Sequence, residues 1–93
     1  MEYEIVSIPG VPSSDVKIVA TDLYFCREIV EVTKETLEGN VPESFKELAF
    51  KLLAIEGIVL LSFDEEGRIE IEKDPDCSWE ELTPLVESVL ILF

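Results

Sequence analysis

The sequence predicts an α+β fold, a two-layer sandwich in which a mostly antiparallel sheet carries two helices on one face. Segments with strand or helix character follow one another in the order β-β-β-α-β-β-α. Residues Arg68–Glu72 alternate between charged side chains and isoleucine, which is typical of a strand with one packed face and one wet face. Because helices collected on one side of such a sheet enclose one core, the 93 residues predict a single domain, residues 1–93.

The first half of the chain predicts three strands. Residues Tyr3–Ile8 and Val16–Thr21 are rich in β-branched side chains, and Pro9–Ser14 between them holds two prolines and a glycine that cannot continue a ladder. Residues Arg27–Lys34 predict the third strand. The connection Asp22–Cys26 is unusually apolar for a loop, which favours a continuation of the second strand there.

The first helix is predicted by a stripe of apolar residues at helical spacing. Asn40 can cap its N-terminus, and Pro42 is tolerated in its first turn. The residues of the stripe share one face and are Phe45, Leu48, Ala49, Leu52 and Leu53. Gly57 can then take the left-handed conformation that ends a helix.

A hairpin follows this helix. The near-continuous apolar run Ile58–Phe63 predicts a central strand. Asp64–Gly67 supplies an acidic loop with its glycine, and the alternating residues Arg68–Glu72 form the second strand of the pair.

The last helix begins with a capping motif. Ser78 can accept a hydrogen bond from the backbone N–H of Glu81, whose side chain can reach back to Ser78. Pro84 falls after the first turn, where it removes one backbone bond and should kink or loosen the helix. The predicted apolar face consists of Trp79, Leu82, Val86, Val89, Leu90 and Phe93.

Motifs in the second half of the chain match those of a known family. The chain reads I-E-G-I at Ile55–Ile58, E-K at the end of the hairpin, and D-C-S-W-E-E-L-T-P at Asp76–Pro84. This combination resembles the N-terminal domain of Nfu/NifU-type iron–sulfur scaffold proteins, which shows I-E-G-V, V-T-K and D-A-D/N-W-x-x-L-x-P in this order. The counterparts are Ile55, Glu56, Gly57, Ile58, Glu72, Lys73, Asp76, Trp79, Leu82 and Pro84.

The resemblance is specific from about Ala54 onward and looser before it. The family's T-P-N-P-x-x-L-K-F segment is echoed by Val11–Ile18, in which the asparagines are missing. Scaffold proteins of this family carry their cluster on a separate C-terminal domain with a C-x-x-C pair, a motif that this sequence lacks. The resemblance therefore implies a non-catalytic accessory module that contributes protein–protein contacts, to a scaffold, cluster donor or client.

The charge balance restricts the partners. A net charge of −14 argues against nucleic acid and against anionic membrane surfaces, because both would be repelled. The N-terminus has neither the basic start nor the apolar core of a signal peptide, so we expect a cytoplasmic protein. A cationic protein partner is compatible with this charge, but an acidic surface that keeps a small protein soluble is the preferred explanation.

Few residues have the chemistry of a catalytic or cofactor site. The chain has no histidine, and its two cysteines, Cys26 and Cys77, are far apart in the sequence. An iron–sulfur cluster needs four soft ligands, so one chain cannot hold a cluster, and free, structural thiols are expected. The serines have no histidine base. The sequence thus predicts no resident cofactor or metal, no catalytic residue and no enzyme activity.

An acidic stretch before the last helix leaves an alternative open. Asp74 and Asp76, with Glu80 or Glu81, can gather oxygen atoms around a divalent cation. The same residues are explained by the favourable interaction of acidic side chains with the N-terminus of a helix.

Three apolar residues exceed what one core requires and predict an interaction surface. Phe50 lies off the apolar stripe of the first helix, and Ile91 and Leu92 lie at the C-terminus. They are either core residues in excess or a docking surface for a partner. A structural, self-associating domain that forms a homodimer through its terminal helix is the alternative function.

Overall fold

The computed structural model describes residues 2–7, 15–36 and 41–93, and within these ranges it has five strands and two helices. The strands are β1 (Tyr3–Ser7), β2 (Val16–Thr21), β3 (Val30–Val32), β4 (Ile58–Phe63) and β5 (Arg68–Lys73), and the helices are α1 (Glu43–Leu53) and α2 (Trp79–Leu90). This order and the antiparallel pairing confirm the predicted α+β sandwich. Ile8, the Pro9–Ser14 linker and Asn40 lie outside the described residues.

The strands form one antiparallel sheet in the order β1-β2-β5-β4-β3. Strand β5 is central, and its Ile69 and Ile71 lie opposite Val19 of β2 and Leu61 of β4 respectively. Both isoleucines are buried, as their alternation with charged residues predicted. The packed row of the sheet therefore runs across β2, β5 and β4 and forms the floor of the core.

The core is completed by the helices and by an aromatic cluster. All five residues of the predicted α1 stripe are buried. Phe45 from this stripe contacts Phe25 and Phe63, with ring centroids 5.5 and 4.4 Å away, and the Phe25 and Phe63 rings meet edge to face. Such aromatic contacts add to the free energy of burial.

The apolar segment before β3 is a loop that packs into the core, and the predicted strand continuation at Asp22–Cys26 is wrong. Phe25 and Cys26 are buried, whereas Leu23 and Tyr24 are exposed. The segment is apolar because two of its side chains close one end of the core.

Strand β3 is shorter than the predicted Arg27–Lys34. Val30 pairs with Phe63, the last residue of β4, so the residues before Val30 have no strand beside them. At the other end, Thr33 and Thr36 bond each other through hydroxyl and backbone groups, which form a turn and stop the strand.

Helix α1 begins later than an Asn40 cap requires. Pro42 is its N-cap, in an extended conformation, and makes no side-chain capping bond. Val41 precedes this proline, and a residue before proline is disfavoured in the helical region. Phe45 in the first turn also departs from helical values (φ −133°, ψ 15°).

Helix α2 keeps its cap with a different partner. The Ser78 hydroxyl accepts from the backbone N–H of Glu80 at 3.1 Å, and the Glu81 N–H donates to the Ser78 carbonyl oxygen. One helix runs through Pro84. Of the predicted face, Leu82, Val86 and Leu90 are buried and Trp79 and Val89 partly so; Phe93 lies beyond the helix end and is exposed.

Candidate interaction surface

The two faces of the sheet differ in what covers them. Residues of α2 and of β1, β2 and β5 enclose a small cavity lined by Ile5, Lys17, Val19, Ile71, Trp79, Thr83 and Val86. These strand residues therefore point toward the helices. Side chains alternate along a strand, and paired residues of neighbouring strands share a side. The residues next in sequence to these cavity-lining residues therefore point to the opposite face of the sheet. We call this side, which neither helix of the described residues covers, the open face.

Strand β2 places all of its apolar side chains except that of Val19 on the open face. Val16, Ile18 and Ala20 lie there, and Val6 of β1 is paired with Ile18. Leu60 of β4 extends the apolar area, since it pairs with Glu72 of β5, whose side chain also lies on the open face. All are at least partly exposed. The open face thus carries an apolar stripe along β2, which an uncovered sheet face normally lacks.

The inward side of β2 is correspondingly polar, and each polar group has a partner. The Lys17 ammonium lies 5.4 Å from the centre of the Trp79 ring, a cation–π distance. The Thr21 hydroxyl donates to the Gly67 carbonyl oxygen at 2.7 Å. These contacts explain why β2 can orient Lys17 and Thr21 toward the helix layer while Val16, Ile18 and Ala20 face outward.

Carboxylates flank the apolar stripe. Glu70 and Glu72 of β5 lie directly opposite Ile18 and Val16 in the pairing of β5 with β2. On one side of the sheet, Glu31 of β3 pairs with Ser62 of β4, which in turn pairs with Glu70. On the other side, Glu4 of β1 pairs with Ala20. The one cation on these strands' open side, Arg68, forms an ion pair with Glu66 at 2.9 Å. The open face is therefore apolar along β2 and acidic beside it.

The three residues predicted as an interaction surface are exposed but lie apart. The exposed fractions of Phe50, Ile91 and Leu92 are 59%, 74% and 66%. The start of β4 pairs with the end of β5. Helix α1 ends just before the start of β4, and α2 begins just after the end of β5, so the end of α1 lies near the beginning of α2. The helices are therefore antiparallel: Phe50 lies toward the end where α2 begins, and Ile91 and Leu92 lie at the other end.

Phe50 lies on a groove beside the edge strand. The groove has a volume of about 240 Å³ and is lined by Lys34, Phe50, Leu53 and Ala54. Lys34 follows β3, so the groove runs between α1 and the end of that strand. Phe50 and the two residues after α2 are thus separate surfaces.

Two of the motif residues of the second half, Gly57 and Leu82, meet at one junction. The Asp74 N–H donates to the Gly57 carbonyl oxygen at 2.7 Å, and Gly57 has a positive φ of 102°. A Cβ atom at Gly57 would lie 2.8 Å from Cys77 Sγ and 3.3 Å from a Leu82 methyl carbon. The junction joins the end of α1 to the start of α2 and is structural.

The two thiols lie at opposite ends of β4. Cys26 Sγ lies 3.5 Å from the carbonyl oxygens of Phe63 and Asp64, whereas Cys77 Sγ lies against Gly57. A strand of six residues spans roughly 17–20 Å, far beyond the reach of a disulfide. Burial, followed by the negative charge of Asp64, raises the pKa of the Cys26 thiol, so that this group is a poor nucleophile.

The acidic stretch before α2 is organised as a turn. Asp74 Oδ1 accepts from the Asp76 N–H at 2.8 Å, and the Asp74 carbonyl oxygen accepts from the Cys77 N–H. Among residues 2–7, 15–36 and 41–93 there is no group of three or more cysteine, aspartate or glutamate side chains placed to hold a metal ion. In the same ranges, neither helix is long and apolar enough to cross a membrane.

Sequence reasoning missed the open face. The signal was present in β2, whose alternation places every apolar residue but Val19 on one side. That side was not identified because both sides of the strand hold β-branched residues, and only the pairing with β1 and β5 shows which one meets the helices.

Comparisons with known proteins give the fold. No family model matches the chain, and no curated protein matches it. The crystal structure of protein SAV1430 from Staphylococcus aureus is similar at a TM-score of 0.76, with 21% identity over 97% of this chain and 99% of that one. The solution structure of SeR13 from Staphylococcus epidermidis is similar at a TM-score of 0.61, with 23% identity over 99% and 98% of the two chains. At these identities the similarity shows the fold alone.

Proposed function

We propose that this chain is a cytoplasmic, non-catalytic accessory module of iron–sulfur cluster assembly that acts through protein–protein contacts. The proposal comes from the resemblance of its second half to the N-terminal domain of Nfu/NifU-type scaffold proteins. The junction around Gly57 is compatible with it, since two of the residues that carry the resemblance, Gly57 and Leu82, lie close together there.

The observation that carries a role in contacts is the partly exposed apolar stripe of the open face. Its Ile18 and Val6 are accessible although the same chain buries a complete core elsewhere. A ligand role for the thiols is disfavoured, because Cys26 and Cys77 lie at opposite ends of β4. What the chain offers a cluster-carrying protein is a surface.

The test is direct binding to a purified scaffold domain with a C-x-x-C pair, loaded with its cluster under anaerobic conditions. We expect saturable one-to-one binding in calorimetry, weakened by salt because the chain is strongly acidic. The control is anaerobic incubation of the chain alone with iron and sulfide, where we expect no cluster absorption. Stoichiometric cluster formation on the isolated chain, or no binding to any loaded scaffold, would overturn the proposal.

A further inference from the structure

The open face combines two features that select one kind of partner. Along β2 the apolar stripe from Val16 to Ala20 is about 13–14 Å long. Beside it, Glu70 and Glu72 run parallel along β5. An occupant must therefore present an apolar ridge and, next to it, a row of positive charges.

We propose that the open face binds an amphipathic, lysine- or arginine-rich helix of a partner protein, which lies along β2 and β5. This inference rests on the proposed function, for which it names the surface and the chemistry of the partner. A helix of about nine residues covers the length of the stripe. Its apolar side contacts Ile18 and its neighbours, and its basic flank lies over Glu70 and Glu72.

The geometry favours a helix over an extended peptide. A strand-like ligand binds to an edge, where backbone N–H and C=O groups are unpaired. The stripe along β2 and the row of Glu70 and Glu72 lie on strands that pair on both sides, since β2 lies between β1 and β5, and β5 between β2 and β4. The ridge of side chains on a helix is the surface that fits such a face.

A second copy of the chain fits this face poorly. In a two-fold symmetric dimer the same patch meets itself. Glu4, Glu31, Glu70 and Glu72 of one copy would then face those of the other, and Arg68 is already paired with Glu66. The repulsion between like charges disfavours self-association here.

The experiment measures binding of a synthetic helical peptide of leucine and lysine arranged amphipathically, with a peptide of scrambled order as its counterpart. Fluorescence anisotropy gives the Kd, and ¹⁵N NMR shifts locate the contact. We expect the amphipathic peptide to bind at least about tenfold more tightly than the scrambled one, and to shift amides of β2 and β5.

Two pairs of charge reversals separate the open face from the overall charge. The variant Glu70→Lys/Glu72→Lys is expected to weaken binding about tenfold. The matched control, Glu47→Lys/Glu87→Lys, makes the same change of net charge on the helix layer and should leave the Kd within about threefold. Urea unfolding verifies that both remain folded. Equal losses in both variants, equal binding of the scrambled peptide, or shifts confined to the helices would overturn the inference.

The outcomes distinguish this inference from the proposed function. If a cluster-loaded scaffold binds but its contact maps to the helix layer, the docking site is wrong and the function stands. If the amphipathic peptide binds the open face and no loaded scaffold binds, the docking site stands and the assembly role is wrong.

Discussion

The α-carbon of Gly57 packs so closely against Cys77 that a methyl group there would lie 2.8 Å from the sulfur. The same glycine has a φ of 102°, a conformation that residues with a Cβ rarely adopt. Two separate costs therefore oppose a larger residue at this position, one in the backbone and one in the contact with the loop before α2.

We expect Gly57→Ala to lower the free energy of unfolding by about 2–4 kcal/mol, measured by urea denaturation. The double variant Gly57→Ala/Cys77→Ala removes the sulfur from the contact and keeps the backbone cost. It should lose less stability than the sum of the two single variants. Strict additivity would show that the contact with Cys77 contributes nothing.

A second prediction concerns the buried ammonium group of Lys73. Its side chain is 8% exposed, and it lies 2.9 Å from the Asp15 carboxylate and 3.3 Å from the Asp74 carbonyl oxygen. Removing the carboxylate leaves a buried cation with one weak partner, so we expect Asp15→Ala to cost about 1–3 kcal/mol of stability.

The double variant Asp15→Ala/Lys73→Met completes a thermodynamic cycle for this pair. It removes the buried cation along with its partner and should be more stable than Asp15→Ala alone. Urea denaturation at neutral pH measures all four proteins. A double variant less stable than Asp15→Ala would show that the lysine stabilises the fold by other contacts.

The Cys26 thiol predicts a change of stability at alkaline pH. Burial, and then the charge of Asp64, raises its pKa above the ordinary value of 9.0. The unfolded chain therefore loses this proton before the folded one does as the pH rises. The stabilisation is fully present below the unfolded pKa and is lost as the pH rises from there through the folded pKa.

The measurement compares the free energy of unfolding of the wild type and of Cys26→Ala from about pH 7 to pH 10. We expect the wild type to lose its advantage over the variant above pH 9, since the alanine cannot ionise. The variant Cys77→Ala, which keeps Cys26, serves as a control for thiol oxidation. A constant difference across the range would contradict the prediction.

The sequence was sufficient for the elements whose pattern has one interpretation. Ile69 and Ile71 alternate with charged residues, so the packed face of β5 followed at once, as did the stripe of α1. The bounds of β3 depend on where β4 ends, which is tertiary information. The late start of α1 has a signal in the sequence, since Val41 precedes a proline and is disfavoured in the helical region, whereas Asn40 favours an earlier start.

The candidate surface was harder to predict for a physical reason. The sequence left open whether Phe50, Ile91 and Leu92 are core residues in excess or surface residues, and the structure shows all three exposed. Their separation depends on the antiparallel arrangement of the two helices. The position of the open face depends on which side of β2 meets the helix layer. Lys17 and Thr21 lie on that inward side, and the sequence alone does not predict this because their partners, Trp79 and Gly67, come from distant segments.

The last prediction tests self-association through the exposed residues. Phe50 lies at one end of the helix layer and Ile91 and Leu92 at the other, so they form no continuous apolar patch of the size that supports a stable dimer. The net charge of −14 adds repulsion between copies. We therefore expect multi-angle light scattering to give the monomer mass, 10.5 kDa, over a wide range of concentrations.

The variants Phe50→Ser and Ile91→Ser/Leu92→Ser show whether either exposed surface drives association. Because all three side chains are largely exposed, neither variant should lower the unfolding free energy by more than about 0.5 kcal/mol. Both should have the mass of the wild type. A wild-type dimer that dissociates in the Ile91→Ser/Leu92→Ser variant alone would favour the self-associating domain, because the terminal helix would then be its interface.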